Sequence, residues 1–365
     1  MSLQCGIVGI TNTGKTTLFN CMSRTKAESS NYAFSSNKSN IGMVDVPDPR
    51  LYELETLQPT EKLIPAAVEI VDIPGLTKGA NKGEGVGNKF LADIRNTDAL
   101  IHVLRCFDDA NLPHIEGSVD PVRDKETVDF ELQVKDLESI EKKIQKTEKA
   151  ARVGDKEAKK TLEALLKYKS HLEDFQPART APVDDSEKEV VEDLFLLTMK
   201  PVLYVCNVDE GSAVTGNKYV AEVREALKDE GAEILVIAAA LEAEVTELED
   251  ENDRLEFLKD AGLEEPGVNR LIRSAYALLN LMSFFTVGPK EIRAWTIKTG
   301  MSAPQAAGAI HSDLERGFIR AEVMKFNDFV TLKSEQACKE KGKLFIEGKN
   351  YIVENGDILH IRFNV

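Results

Sequence analysis

The chain has 365 residues, 42% of them hydrophobic, enough for two or three domains that each bury a core. Its net charge of −16 argues against a protein that coats nucleic acid through its overall field. No apolar run reaches the ~18 residues that a membrane span needs.

The five cysteines, Cys5, Cys21, Cys106, Cys206 and Cys338, are odd in number, scattered and never spaced Cys-x-x-Cys. That pattern fits reduced thiols in a cytoplasmic protein and not a disulfide scaffold. The five histidines do not cluster at zinc-ligand spacing. Met1 to Gly6 carry no basic stretch leading into an apolar run, so no export signal is expected.

Residues 1–110 alternate apolar runs of strand length with helix-like stretches. The spacing predicts strands over 4–9, 41–46, 66–71 and 99–105 and helices over 15–23 and 86–96. Such alternation implies a parallel sheet covered on both faces. From about 125 to 198 the strand signals vanish. Phe130, Val134, Leu137, Ile140 and Ile144 recur at helical spacing among charges, Gly154-Asp155 breaks the run, and a second helix is expected over 156–174. Strands over 201–206 and 233–237 resume the α/β pattern, so the antiparallel helical arm is an insertion. From 283 short strand-like runs and one helix over 303–315 predict a small α+β domain. The expected division is 1–124 with 199–282, then 125–198, then 283–365.

Charge is unevenly spread. Residues 140–170 hold ten Lys or Arg against five acids, and residues 242–265 hold eleven acids against two bases. Any anionic partner would therefore bind locally, although solvated helix faces commonly carry such runs.

"GITNTGKTT", residues 9–17, fits G-x-x-x-x-G-K-[ST] through Gly9, Gly14, Lys15 and Thr16. A strand precedes it and a helix follows, so backbone N–H groups from Asn12, Thr13 and Gly14 through Thr17 can converge on phosphates at a helix N-terminus. Lys15 would reach the β- and γ-phosphates, and the Thr16 hydroxyl would bind Mg²⁺. "AVEIVDIPG", 67–75, delivers Asp72 at a strand end, where a carboxylate can hold Mg²⁺ through water. Gly75 follows with an N–H able to approach a γ-phosphate. Five glycines lie in 75–87, a composition suited to a segment that orders around that phosphate.

"VLYVCNVDE", 202–210, stands where guanine-nucleotide switches read Asn-Lys-x-Asp. Asn207 suits either purine, because N7 is an acceptor in both. Glu210 is one methylene longer than the Asp that takes both guanine donors, and Val208 lacks the Lys stem that covers the base. Losing a buried bidentate pair discriminates by several powers of ten, so ATP is expected over GTP. Leu76 fills the place where such switches carry a water-positioning Gln, and it can neither donate nor accept.

These motifs, with "DIPGLTKGANKGEGVGNKFLADIRNTDALIHVLRCFD", "EEPGVNRLIRSAYALLNL", "VGPKEIRAWTI", "AAGAIHSDLERGFIRAEV" and "NGDILHIRFNV", resemble the Obg-like ATPases, the YchF family of P-loop proteins, over essentially the whole chain. The resemblance implies a Ras-like α/β P-loop core, an inserted antiparallel α-helical arm and a C-terminal β-grasp (TGS, ubiquitin-like) domain. It implies ATP hydrolysis with Mg²⁺, and adenine read by Asn207 and Glu210 with backbone groups near Val208. It also implies association with the ribosome, the large subunit or the whole, through the arm and the TGS domain, without membrane or sequence-specific DNA.

The same resemblance nominates His114, in "NLPHIEG", as the catalytic group, although a loop histidine is ordinarily just solvated. K⁺ held by Asn12 is a further candidate. The chain departs from the family at Thr13 and Thr16, where Val and Ser are usual. In "FSSN", Ser36 stands at the family's metal-binding Thr. Two alternatives stay open: a GTPase with relaxed base choice, and a nucleotide-gated adaptor that hydrolyses negligibly.

Overall fold

A computed structural model of the chain describes residues 3–23, 39–76 and 86–364. By compactness it divides into two units, Met1–Met43 with Glu69–Leu271, and Val44–Val68 with Ile272–Val365.

In chain order the elements up to the arm are β1 (Gln4–Val8), α1 (Lys15–Met22), β2 (Asn40–Asp45), α2 (Pro49–Leu57), β3 (Leu63–Ile64), β4 (Ala67–Asp72), α3 (Val86–Arg95) and β5 (Ala99–Arg105). The arm brings α4 (Pro121–Arg152), α5 (Lys156–Glu173) and the short α6 (Asp185–Glu189). After it come β6 (Val202–Asn207), α7 (Lys218–Ala226), β7 (Ile234–Ile237), α8 (Ala239–Glu247), α9 (Glu251–Asp260) and α10 (Gly267–Leu278).

Among the described residues the first sheet runs β2-β4-β1-β5-β6-β7. The pairs of β1 with β4 and β5, and of β6 with β5 and β7, are parallel. Every residue of β5 is buried, as expected of a parallel strand covered on both faces. One face packs Val8, Ile73, Phe90 and Ile94 against Val128 and Leu132 of α4; the other packs Tyr204 and Cys206 against Val220, Val223 and Leu241. Strand order reverses at β1, so the loops leaving the carboxyl ends of β1 and β5 part and open a crevice there.

Helix α4 has 32 residues and starts earlier than its apolar periodicity indicates. Asp120 accepts the Arg123 N–H at 3.0 Å, and Pro121 takes the first helical position, where no N–H is needed. Gly154 (φ 98°) makes the turn, and Asp155 caps α5 by accepting from Glu157 and Ala158. Ile140, Ile144, Leu165, Tyr168 and Leu172 give the two helices a core of their own. At the root of the arm the Asp136 carboxylate, fully buried, accepts from the Leu197 N–H (2.7 Å), the Thr198 N–H (2.7 Å) and the Thr198 hydroxyl (2.6 Å). Nearby, Glu230 accepts from Lys125 (2.6 Å), Arg179 (3.2 Å) and the Tyr204 hydroxyl (3.1 Å).

The second unit contains β8 (Leu281–Val287), β9 (Ile292–Lys298), α11 (Ala303–Ile310), α12 (Ser312–Arg316), β10 (Phe318–Met324), α13 (Phe326–Leu332), α14 (Glu335–Glu340), β11 (Leu344–Glu347) and β12 (Ile358–Phe363). Its sheet runs β11-β10-β12-β8-β9-β3. β8 and β9 form an antiparallel hairpin, β12 lies parallel to β8, and the small residues Ala303, Ala306 and Ala307 seat α11 on the sheet, a β-grasp arrangement. The single helix expected over 303–315 is two: His311 is extended (φ −161°) and its Nδ1 caps α12 by accepting from Asp313. β3, which sequence periodicity did not reveal, pairs parallel to β9.

Asp136 is the one side chain that satisfies both backbone donors where the arm rejoins the core. Asp136→Ala should lower the unfolding free energy by about 3 kcal/mol, because it leaves buried donors unpaired. Urea denaturation of the two proteins reads this, and a loss below about 1 kcal/mol would mean that the arm root is held elsewhere.

Candidate functional site

The loop after β1 turns where the sequence allows it. Gly9 (φ 149°) passes so close to β5 that a Cβ would stand 2.5 Å from the Val103 carbonyl oxygen, and Asn12 adopts a left-handed φ of 60°. Gly14 (φ 93°) caps α1, and a Cβ there would collide with the Asn207 amide nitrogen. No other residue fits these two glycine positions without displacing backbone or Asn207.

Lys15 is buried and its ammonium donates to the Ile10 carbonyl (2.5 Å). Burial pulls its pKa down to about 8, against the opposing pull of Asp72. The Thr16 hydroxyl donates to Asp72 Oδ2 (2.9 Å). Burial raises the Asp72 carboxyl while Lys15, Thr16 and Asn40 act the other way. Asp72 Oδ1 is buried without a hydrogen-bond partner among the described residues. The unpaired carboxylate oxygen and the neighbouring hydroxyl are hard oxygen ligands suited to a divalent cation, and the ammonium beside them suits an anion such as a phosphate. Thr13 is buried, its hydroxyl on the Ile10 carbonyl (3.3 Å), and Thr17 is half-buried in the first turn of α1.

Gly75 lies against this cluster, since a Cβ would meet Thr11 Cα at 2.9 Å and Lys15 Nζ at 3.0 Å. Leu76 is buried in the core, and its N–H donates to the Gly9 carbonyl (3.0 Å). Ser36 and the glycine-rich stretch after Thr77 lie outside the described residues, apart from the backbone of α3.

The expected base-reading residues divide into two kinds. Asn207 is buried, its Nδ2 donating to the Thr13 carbonyl (2.9 Å) and its Oδ1 accepting from the Ala239 N–H (2.9 Å). Val208 turns into the core and its N–H donates to the Ile237 carbonyl (2.9 Å), so that N–H is committed to the sheet. Glu210 is exposed and opens a 3₁₀ turn, Glu210–Ser212.

The loop that carries His114 is held beside the phosphate loop. Asn12 Nδ2 donates to the Pro113 carbonyl (3.1 Å). Arg105, fully buried at the end of β5, donates to the carbonyls of Phe107 (3.2 Å), Leu112 (2.9 Å) and Asp109 (3.4 Å). His114 Nδ1 accepts the Glu116 N–H (3.1 Å), which leaves the proton on Nε2 to donate to Asp124 Oδ2 (2.8 Å). Sequence reading passed over Arg105 and Asp124. A lone arginine closing the run "ALIHVLR" was the available signal for the first; nothing in the sequence marks the second among the acids of α4.

A family model described as "50S ribosome-binding GTPase" matches residues 4–167, and a YchF GTPase C-terminal model, described as a protein of unknown function, matches residues 281–364. The chain is 48% identical to the protein named ribosome-binding ATPase YchF of Haemophilus ducreyi over all of both chains, and 47% identical to that of Bacillus subtilis, again over all of both. The solved structure of the Schizosaccharomyces pombe YchF GTPase superposes with a TM-score of 0.86 at 36% identity, covering 99% of this chain and 98% of the other. With identity at this level along its whole length, and with the phosphate loop, the arm and the β-grasp unit in one order, the chain belongs to the YchF family.

Proposed function

We propose that the chain is an ATP-hydrolysing switch that associates with the ribosome in the cytoplasm and acts in translation or stress-response regulation. The observation that carries the hydrolytic part is the cluster of Lys15, Thr16 and Asp72 at the strand order reversal, with one buried carboxylate oxygen unpaired. Ribosome association comes from the relatives' names. No described helix is long and apolar enough to cross a membrane.

In this reading Asn12 to Thr17 cradle the phosphates and Lys15 neutralises the β- and γ-oxygens. Thr16 and Asp72 would hold Mg²⁺, with Ser36 as the expected third ligand, and the metal would supply positive charge against the phosphates. Gly75 offers its N–H to the γ-phosphate. Leu76 is chemically inert, so water positioning falls to His114, with K⁺ at Asn12 as the second source of charge. Asn207 reaches purine N7, Glu210 excludes guanine by its reach, and the backbone at Val208 contributes its carbonyl to the adenine amino group.

The arm (125–198) and the TGS domain (283–365), appended to the nucleotide domain (1–124 with 199–282), are the docking elements. A cleft of about 480 Å³ at the arm root, lined by Arg95, Lys142 and Lys146 with the exposed Phe195, and by Lys143 paired with Asp193 (2.5 Å), supports contact with ribosomal RNA.

Side-by-side titrations with ATP and GTP, joined to single-turnover hydrolysis with and without ribosomes, test this reading. Tighter GTP binding by tenfold or more would favour a relaxed GTPase, and negligible hydrolysis under both conditions a nucleotide-gated adaptor. Glu210→Asp should shift the GTP/ATP affinity ratio upward by about tenfold; an unmoved ratio would assign base choice to the backbone.

Lys15 gives a pH dependence. Its ammonium, not its amine, binds phosphate, and in the nucleotide-free protein it loses its proton near pH 8. ATP affinity should hold steady below that pH and fall above it, by about tenfold per pH unit, as binding comes to require proton uptake. Calorimetry at pH 9 in two buffers of different ionisation enthalpy should show that uptake, and its absence would place Lys15 away from the phosphates.

A further inference from the structure

His114 follows a carbonyl pinned to the phosphate loop, yet its ring is committed elsewhere. Asn12 fixes Pro113, and Arg105 fixes three carbonyls before it. The backbone leading to His114 is therefore held near the cradle, and the side-chain torsions are what remain free to move the ring. The pair with Asp124 is buried, the side chains 4% and 2% exposed. A neutral imidazole has one donor and one acceptor, and here both are used: the Glu116 N–H occupies Nδ1 and Asp124 accepts from Nε2. So oriented, the ring has no lone pair for a water proton and no N–H for a γ-phosphate oxygen.

We propose that Asp124 is a positioning residue that parks His114 in a resting orientation, and that hydrolysis proceeds from molecules in which the Nε2–Asp124 bond is broken and the ring has turned to the phosphate loop. This rests on the reading of His114 as the hydrolytic group. The familiar alternative, in which an aspartate orients a histidine so that its second nitrogen works, lacks a free nitrogen here. Release does not strand the carboxylate, because Asp124 Oδ1 also accepts from Arg123 (3.1 Å).

Asp124 also sits in the first turn of α4, a helix of 32 residues and about 48 Å. The far end of that helix is the tip of the arm. A load on the arm reaches the parking bond through one rigid element.

Steady-state kinetics of the full chain test this with Asp124→Asn, His114→Ala and the double variant. Asp124→Asn keeps the shape but makes the hydrogen bond neutral and about half as strong. kcat should rise about tenfold with KM for ATP unchanged, and the double variant should be as slow as His114→Ala, about 100-fold below the wild type. If His114→Ala is slow but Asp124→Asn is no faster than wild type, parking is overturned and the role of His114 stands. If His114→Ala hydrolyses at the wild-type rate, the hydrolytic reading itself falls, and parking with it. The ¹⁵N spectrum of the histidines in the unmutated chain is a check independent of variant folding. A resting proton on His114 Nε2 is expected, and one on Nδ1 overturns the proposal.

Discussion

The amide of Asn207 holds the site together. One end takes the Thr13 carbonyl of the phosphate loop, and the other takes the N–H that opens α8. Three loops leaving the carboxyl ends of β1, β6 and β7 thus meet on one buried side chain. The close approach dictates the residue opposite: Gly14 can carry no Cβ because the Asn207 amide occupies that space. Each of these hydrogen bonds is worth about 1 kcal/mol. Their larger effect is geometric, since they fix the phosphate loop relative to the segment that carries Glu210.

A second set of bonds does the same for the loop of His114. Arg105 is charged, fully buried and bonded to three carbonyls, which would otherwise lose their hydration without replacement. Its guanidinium also lies over the Phe107 ring, 4.8 Å from the centroid. A segment without regular structure between β5 and α4 is in this way given a defined course. Asn12 ties that course to the phosphate loop from the other side.

Most of the fold was legible in the sequence, because hydrophobic period and glycine spacing report local requirements. The P-loop residues, Asp72 at the end of β4 and the turn at Gly154 follow from local patterns, and the structure places them as those patterns imply. Where sequence reading stopped, the cause was either a non-local partner or a cap that hydrophobic period does not register. The amide of Asn207 spans two backbone segments, a tie that the motif does not announce. The sheet claims the Val208 N–H and the core its side chain, which the strand-like run before it does not announce. α4 begins at a cap, Asp120-Pro121, which apolar periodicity does not register, and His311 splits a helix that composition would have left whole.

The short strand β3 has a consequence for the order in which the chain can complete itself. It lies between β2 and β4, yet pairs with β9 in the C-terminal sheet. In the same unit Arg50 of α2 lies over the Phe285 ring, 5.2 Å from the centroid, and bonds to Asn355 (2.9 Å). During synthesis β3 emerges early and waits without its partner until β9 has left the exit tunnel. A fragment that stopped before β8 would lack β9 and leave β3 without its partner, the kind of open edge through which sheets add foreign strands. β3 and the sheet that follows the arm thus depend on one another for completion, and a truncated product betrays itself by an unfinished sheet.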